Sequence, residues 1–182
     1  AGSKILPALL ALNNIDLKSI NRTTIDVKLR DTMLIKGEVD AVVGFDYTII
    51  FNLMEAGLKL EDITLLYFAD FGFNFWGNSL IANPAVVEKN PDLVRRVALA
   101  VARSWAAASK DRAAAISAVT KRDGLLKAET ERARMDWVLD KLVLTPSVRQ
   151  NGIGNMDQQR MERGINVIKE GFQLSTAPTM EQ

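Results

Sequence analysis

The sequence FADFGFNFWGN, at residues 68–78, holds aromatic side chains at a density that no other part of the chain approaches. Half of the chain's aromatic residues lie between Tyr67 and Trp76, where glycine and asparagine are interleaved with them. Glycine lets a ligand or another backbone approach closely, and aromatic rings offer rigid, flat contact area. The stretch therefore predicts either a segment that crosses a ligand cleft or a segment packed into the core.

The composition of the 182 residues favours binding over catalysis. The chain has no cysteine and no histidine, which excludes thiol nucleophiles, disulfides, histidine-based catalysis and nearly every kind of zinc site. The net charge of +1 comes from interspersed acids and bases, so it gives no reason to expect nucleic acid as a partner. No apolar run is long enough for a membrane-spanning helix. We expect no catalytic residue, no metal and no cofactor.

Helical and strand-like patterns alternate in the first half of the chain. Four runs have strand composition or are short, apolar and bounded by turn residues, namely residues 23–27, 39–45, 63–68 and 77–83. Helical patterns lie between and before them, at residues 4–14, 28–38 and 47–57. Such alternation predicts the α/β class, with a layer of helices on a largely parallel sheet.

After Pro84 the patterns are helical. The predicted helices cover residues 91–111, 112–124, 127–144 and 156–172. Pro91 suits the first turn of its helix, and Asp157 is placed to cap the last one. We therefore divide the chain into residues 1–76, which hold most of an α/β lobe, and residues 77–182, which hold a strand and the later helices.

Two short stretches are candidate ligand sites. Gly2 and Ser3 precede the first predicted helix, where free backbone N–H groups form a seat for an anion, although an ordinary helix cap is the commoner use of such a serine. Asp46 and Tyr47 follow a predicted strand, and ligands of open α/β sheets lie past the carboxyl ends of strands. Asp46 would accept a hydrogen bond from an amine or a ring N–H, and it is equally suited to cap the helix that follows.

The aromatic stretch supplies the remaining candidates. If it crosses a cleft, the residues that contact the ligand are Phe71, Phe73, Asn74 and Trp76. If it is a core segment, the same side chains pack against the protein's own helices.

Several segments, taken in order, resemble one family. These segments are similar to the second half of ABC-transporter substrate-binding proteins: AGSKILPALLALNNIDL, IKGEVDAVVGFDYTIIFNLMEAGL, LLYFADFGFNFWGNSLIANPAVVEKNPDLVRRVALAVARSWAAASKD and NGIGNMDQQRMERGINVIKEGF. The branch is the nitrate/sulfonate/taurine group, together with its relatives that bind a pyrimidine precursor of thiamine. The resemblance covers almost the whole chain.

The resemblance implies a fold like that of type II periplasmic binding proteins. Two α/β lobes joined by hinge strands would close around a small ligand, and this chain would hold one lobe plus C-terminal helices, with the first lobe absent. Residues 69–78 would then be the return crossing between the lobes. On its own the chain would expose an unpaired strand edge and apolar helix faces, so we expect it to self-associate or to remain bound to the missing half.

The same resemblance implies the function. The protein would capture a small polar ligand for an ABC importer, with the transporter permease as its partner and no nucleic acid. It would lie in the periplasm, or outside the cell on a membrane anchor. A thiamine-precursor synthase-like enzyme and the ligand-sensing effector domain of a regulator are the alternatives, and the sequence preceding Ala1 would discriminate among the three. The identity of the ligand stays open.

Overall fold

The computed structural model describes the backbone of residues 2–176 and the side chains of residues 5–176. The α-helices in this range are α1 (Gly2–Leu12), α2 (Val27–Ile35), α3 (Asp46–Glu55), α4 (Pro84–Lys89), α5 (Pro91–Lys110), α6 (Arg112–Arg122), α7 (Ala128–Trp137), α8 (Pro146–Asn151) and α9 (Gln158–Gly171). Shorter 3-10 turns lie at Leu17–Ser19, Leu60–Asp62 and Phe68–Phe71, and a π-helical turn at Val138–Val143 continues α7.

The helices predicted from spacing and capping are confirmed. Asp157 accepts a hydrogen bond from the backbone N–H of Arg160 at 2.6 Å and so caps α9. Pro91 opens α5, where its missing N–H has no cost. Gly37 and Gly57 follow α2 and α3 with φ of +69° and +103°, a conformation that glycine adopts without strain. The short helices α4 and α8, each opened by a proline, were not predicted.

The four predicted strands are not formed as a sheet, because no residue between 2 and 176 belongs to a β-strand. The backbone at their ends is nevertheless extended, with ψ of 132° at Phe45, 112° at Ile63 and 131° at Asn83. Strand composition measures how well a segment fits a pleated sheet, but a sheet also needs a partner strand for each ladder of hydrogen bonds. Within the described range these runs are extended connections between helices. The structure therefore does not confirm the α/β class.

The described residues up to 75 and from 156 onward form one compact unit. In it α1 packs on α9 so closely that a Cβ added at Gly171 would collide with Ala8. Ala8, Leu9 and Phe73 form a buried apolar cluster, and Val167 of α9 packs against it. A second group of buried apolar side chains lies on α3, which packs on α2. Its members are Ile49, Ile50, Phe51 and Leu53.

Residues 76–155 form a second compact unit, which holds α4 to α8 and the π-helical turn. Arg112 at the start of α6 donates hydrogen bonds to Asp136 at 2.6 Å and to Asp140 at 2.5 Å. These hydrogen bonds lower the pKa of both carboxyl groups. Ile116 and Leu139 are the buried apolar side chains beside this network. The charged network thus ties α6 to α7 and to the π-helical turn.

Candidate functional site

Asp46 and Tyr67 form a hydrogen-bonded pair at the start of α3. Phe45 precedes the helix without a side-chain cap, and Asp46 is the first helical residue. One carboxylate oxygen of Asp46 accepts from the backbone N–H of Tyr47 at 2.7 Å. The other accepts from the hydroxyl of Tyr67 at 3.3 Å. Asp46 therefore satisfies an N–H group of the first turn at the positive end of the helix dipole, but it does so from inside the helix, because Phe45 and not Asp46 holds the N-cap position that the capping alternative predicted for Asp46.

Aromatic rings flank this carboxylate. The rings of Phe45 and Tyr47 are stacked, with their centroids 5.4 Å apart and their planes 18° from parallel. Burial, and then the charge and hydrogen bond of Asp46, raise the pKa of Tyr67 above its ordinary value. Tyr67 consequently stays a hydrogen-bond donor at neutral pH. We call these four residues the Asp46 corner; its chemistry suits an amine or a planar ring that carries an N–H group.

A second cluster is the aromatic segment, defined as residues 68–75. It begins with the 3-10 turn Phe68–Phe71, which ends where Gly72 takes a left-handed conformation with φ of +87°. Asn13, just past the end of α1, donates from its side-chain amide to the backbone carbonyl of Phe71 at 3.0 Å and to that of Leu9 at 2.8 Å. The segment is thereby attached to the end of α1.

The other side of the aromatic segment is attached to α9. Arg160 donates to the side-chain oxygen of Asn74 at 2.8 Å and to the backbone carbonyl of Phe75 at 2.7 Å. The ring of Phe75 lies on Gly164, where an added Cβ would come within 2.7 Å of it. Phe73 is only 5% exposed and its ring centroid lies 4.4 Å from that of Phe75. The aromatic segment is therefore held between α1 and α9, with Phe73 as its buried core residue.

The structure brings the predicted site residues into two groups. Asp46 and Tyr47 lie together in the Asp46 corner. The aromatic segment holds exposed Phe71, buried Phe73 and exposed Asn74. The half-buried Trp76 belongs to the second compact unit.

Gly2 and Ser3 fall outside the described side chains. The backbone of α1 already includes both residues, so Ser3 does not precede the helix as an N-cap would. An anion seat at this helix start stays a prediction.

Sequence reasoning did not single out three residues that hold these clusters together. Tyr67 lies in the aromatic-rich stretch, and its separation of 21 residues from Asp46 gives no local signal of their hydrogen bond. Asn13 and Arg160 reach the aromatic segment from positions 58 and 86 residues away. Contacts at such separations depend on tertiary packing, so no sequence spacing could have shown them.

The described residues offer neither a metal site nor a membrane-spanning helix. Within residues 2–176 no group of three or more acidic side chains could hold a metal ion. No helix in the part of the chain that the structure describes is long and apolar enough to cross a membrane.

Comparison with known proteins gives one match. A family model described as NMT1/THI5-like matches residues 1–115, which include the Asp46 corner and the aromatic segment. Neither the search of curated proteins nor that of solved structures found a match. The family model covers more than half of the 182 residues. The chain therefore belongs to the NMT1/THI5-like family, the family of ABC substrate-binding proteins for nitrate, sulfonates, taurine and a thiamine precursor.

Proposed function

We propose that the protein is a solute-binding protein that captures a small polar ligand for an ABC importer. The match of the family model to residues 1–115 carries this proposal. The family implies the periplasmic-binding-protein type II fold, in which two lobes close on a ligand by a hinge motion. The importer's permease would be the partner, and the protein would work in the periplasm or outside the cell.

The ligand contacts that we propose come from both clusters. Asp46 would exchange its long 3.3 Å hydrogen bond with Tyr67 for a shorter, charge-assisted one from a ligand amine or ring N–H. Tyr47 would stack on the ligand, as Phe45 already stacks on Tyr47. Phe71 would add aromatic contact area, and Trp76 stays a ligand contact predicted from the sequence alone.

Three further predicted residues have more distant roles in this proposal. Asn74 would contact the ligand through its amide nitrogen, because its oxygen accepts from Arg160. Phe73 would act through packing from the core side. Gly2 and Ser3 would offer backbone N–H groups to an anionic part of the ligand.

The enzyme and regulator alternatives gain no support from the Asp46 corner. A synthase of this family is expected to depend on histidine and cysteine, and this sequence contains neither. The corner offers one carboxylate and one tyrosine hydroxyl, and these groups are enough to recognise a ligand. They do not form the pair of general base and nucleophile that covalent catalysis uses.

Thermal-shift screening tests the proposed function. The protein would be heated with nitrate, taurine, alkanesulfonates, aromatic acids and aminopyrimidines in turn. A ligand at 100 times its Kd adds about 2.7 kcal/mol to the free energy of unfolding, which raises the midpoint clearly. We expect one class to do so, and Asp46→Asn to reduce the rise while Asp40→Asn, an exposed aspartate outside the corner, leaves it unchanged. A folded protein whose midpoint no compound raises would contradict solute capture by this chain.

A further inference from the structure

A groove lies between the aromatic segment and α9, apart from the Asp46 corner. Its volume is about 340 Å³, and its lining includes Asn74, Phe75, Arg163, Gly164, Asn166 and Glu170. It shares no lining residue with the corner. We call it the α9 groove. Its volume is large enough for a small organic molecule and far larger than a single water needs.

Contacts within the protein hold Phe75 and Asn74 in place beside the α9 groove. Gly164 lets the ring of Phe75 lie directly on the helix, since any larger residue would push the ring away. The guanidinium of Arg160 donates hydrogen bonds to the side chain of Asn74 and to the carbonyl of Phe75, so it holds both residues in place. Arg160 is therefore a positioning residue, and it is not the cation that the groove offers to a ligand.

Two opposite charges line the α9 groove along one face of its helix. Arg163 and Glu170 are seven residues apart, which is two turns and about 10.5 Å along the axis. That separation is too long for a direct ion pair between neighbours on a helix. Among the described residues neither side chain has a salt bridge or hydrogen-bond partner. As far as the described residues show, the groove therefore has an unpaired cation at one end and an unpaired anion at the other.

Neutral groups also line the α9 groove. The oxygen of Asn74 is taken by Arg160, which leaves its amide nitrogen to donate to an anion. Asn166 is on the same helix between Arg163 and Glu170, and its amide can donate as well as accept. The ring of Phe75 supplies an apolar surface for a short hydrocarbon chain.

We propose that the α9 groove binds a small amino acid whose carboxylate and amine are separated by a short chain. The carboxylate pairs with Arg163 and the amine with Glu170, while the chain lies on Phe75. A molecule with only one charge would leave either the arginine or the glutamate without a partner. Asn74 is the one residue of the α9 groove that the proposed transport site also uses, whereas Arg163, Glu170 and Phe75 belong to the groove alone.

Titration of the ¹⁵N-labelled protein with γ-aminobutyrate, followed by NMR, tests this proposal. Butyrate and butylammonium are the matched probes, since each keeps the chain and one of the two charges. We expect the backbone amide signals of Asn74, Gly164 and Asn166 to move with γ-aminobutyrate. The Kd should be at least about tenfold lower than for either single-charge probe, which equals about 1.4 kcal/mol.

Two variants assign the charges. Arg163→Gln should weaken γ-aminobutyrate binding to the level of butylammonium, and Glu170→Gln should weaken it to the level of butyrate. Arg122→Gln and Glu88→Gln, exposed residues of the second unit, should change nothing. The proposal is overturned if γ-aminobutyrate moves none of the three signals, or if the three probes bind the unmodified protein equally well. That last comparison needs no variant, so it decides the matter even if a substitution impairs folding.

Discussion

The substitution Gly164→Ala tests whether the aromatic segment is packed onto α9 as the structure describes. Gly164 is buried in α9, and an added Cβ would come within 2.7 Å of one ring carbon of Phe75 and 3.1 Å of another. Two effects of opposite sign compete. Alanine stabilises a helix interior by about 0.8–1.0 kcal/mol relative to glycine. Overpacking a well-packed contact costs about 1–3 kcal/mol.

The surroundings of Phe75 decide which effect is larger. Its ring cannot swing away freely, because Phe73 lies 4.4 Å from it and Arg160 holds its carbonyl at 2.7 Å. The overpacking cost therefore falls in the upper part of its range. We expect Gly164→Ala to lower the free energy of unfolding by about 1–2 kcal/mol once the gain in helix propensity is subtracted.

A second background isolates the contact. With Phe75→Ala already present the ring is gone, so Gly164→Ala should instead raise the free energy of unfolding by about 0.8–1.0 kcal/mol. The same substitution thus changes sign between the two backgrounds. Gly124→Ala is the control, because nothing lies within 4 Å of a Cβ placed there.

Urea unfolding followed by circular dichroism at 222 nm measures these differences. All three tryptophans, Trp76, Trp105 and Trp137, lie in the second compact unit, so their fluorescence follows that unit separately. The effect of Gly164→Ala should appear in the circular dichroism transition. If Gly164→Ala stabilises the protein in both backgrounds, then Phe75 does not lie on α9 and the described packing is wrong.

Three further predictions concern ionisable groups. Because the folded-state pKa of Tyr67 is raised, its hydroxyl stabilises the fold fully below pH 10.0 and loses this contribution as the pH rises through the folded-state value. Tyr67→Phe should therefore flatten the fall in Tm above pH 10 that circular dichroism records. Arg112→Gln should lower Tm at pH 7, and the deficit should shrink as the pH falls through the lowered pKa values of Asp136 and Asp140, since those carboxylates then lose their charge in the parent too. Asp46→Asn should weaken binding of a ligand that carries an amine by about 1.5–3 kcal/mol in isothermal titration, and unchanged affinity would leave Asp46 only its hydrogen bonds within the protein.

The helices could be predicted from the sequence because their signals are local. Asp157 and Pro91 mark helix starts, and Gly37 and Gly57 mark helix ends, within a few residues of the apolar pattern that each bounds. The strands could not be predicted in the same way. Residues 63–68 have the composition of a buried strand, yet a strand exists only when another chain segment pairs with it. That condition depends on distant residues, and composition does not report it.

The candidate site shows the same division between local and distant information. The position of Asp46 at a helix start follows from the sequence around it, and the structure places it there. The hydrogen bond between Asp46 and Tyr67 joins residues 21 positions apart in the sequence. The hydrogen bond from Arg160 to Asn74 joins residues 86 positions apart. The aromatic stretch was predicted either to pack in the core or to contact a ligand, and its residues differ in this respect. Phe73 is 5% exposed and packs in the core, whereas Phe71 is 42% exposed and accessible to a ligand. One stretch can therefore serve packing and still offer side chains to a ligand.

The extended runs lack pairing strands, and the apolar face of α5 lacks a covering surface within the described residues. Leu93, Val97 and Val101 recur every four residues on α5 and are 45%, 42% and 41% exposed, which gives an apolar stripe along one face of the helix. A partner surface can cover a stripe of this kind, and a neighbouring strand pairs with a run of strand composition in a sheet. The described residues supply neither of these contacts. The type II fold that the family implies contains such contacts, since helices there cover a sheet and strands pair within it.

Self-association would cover the same surfaces, so we retain it as a proposal for this chain on its own. The described residues confirm the helices, which form from local interactions, whereas the α/β pattern in the sequence stays a prediction.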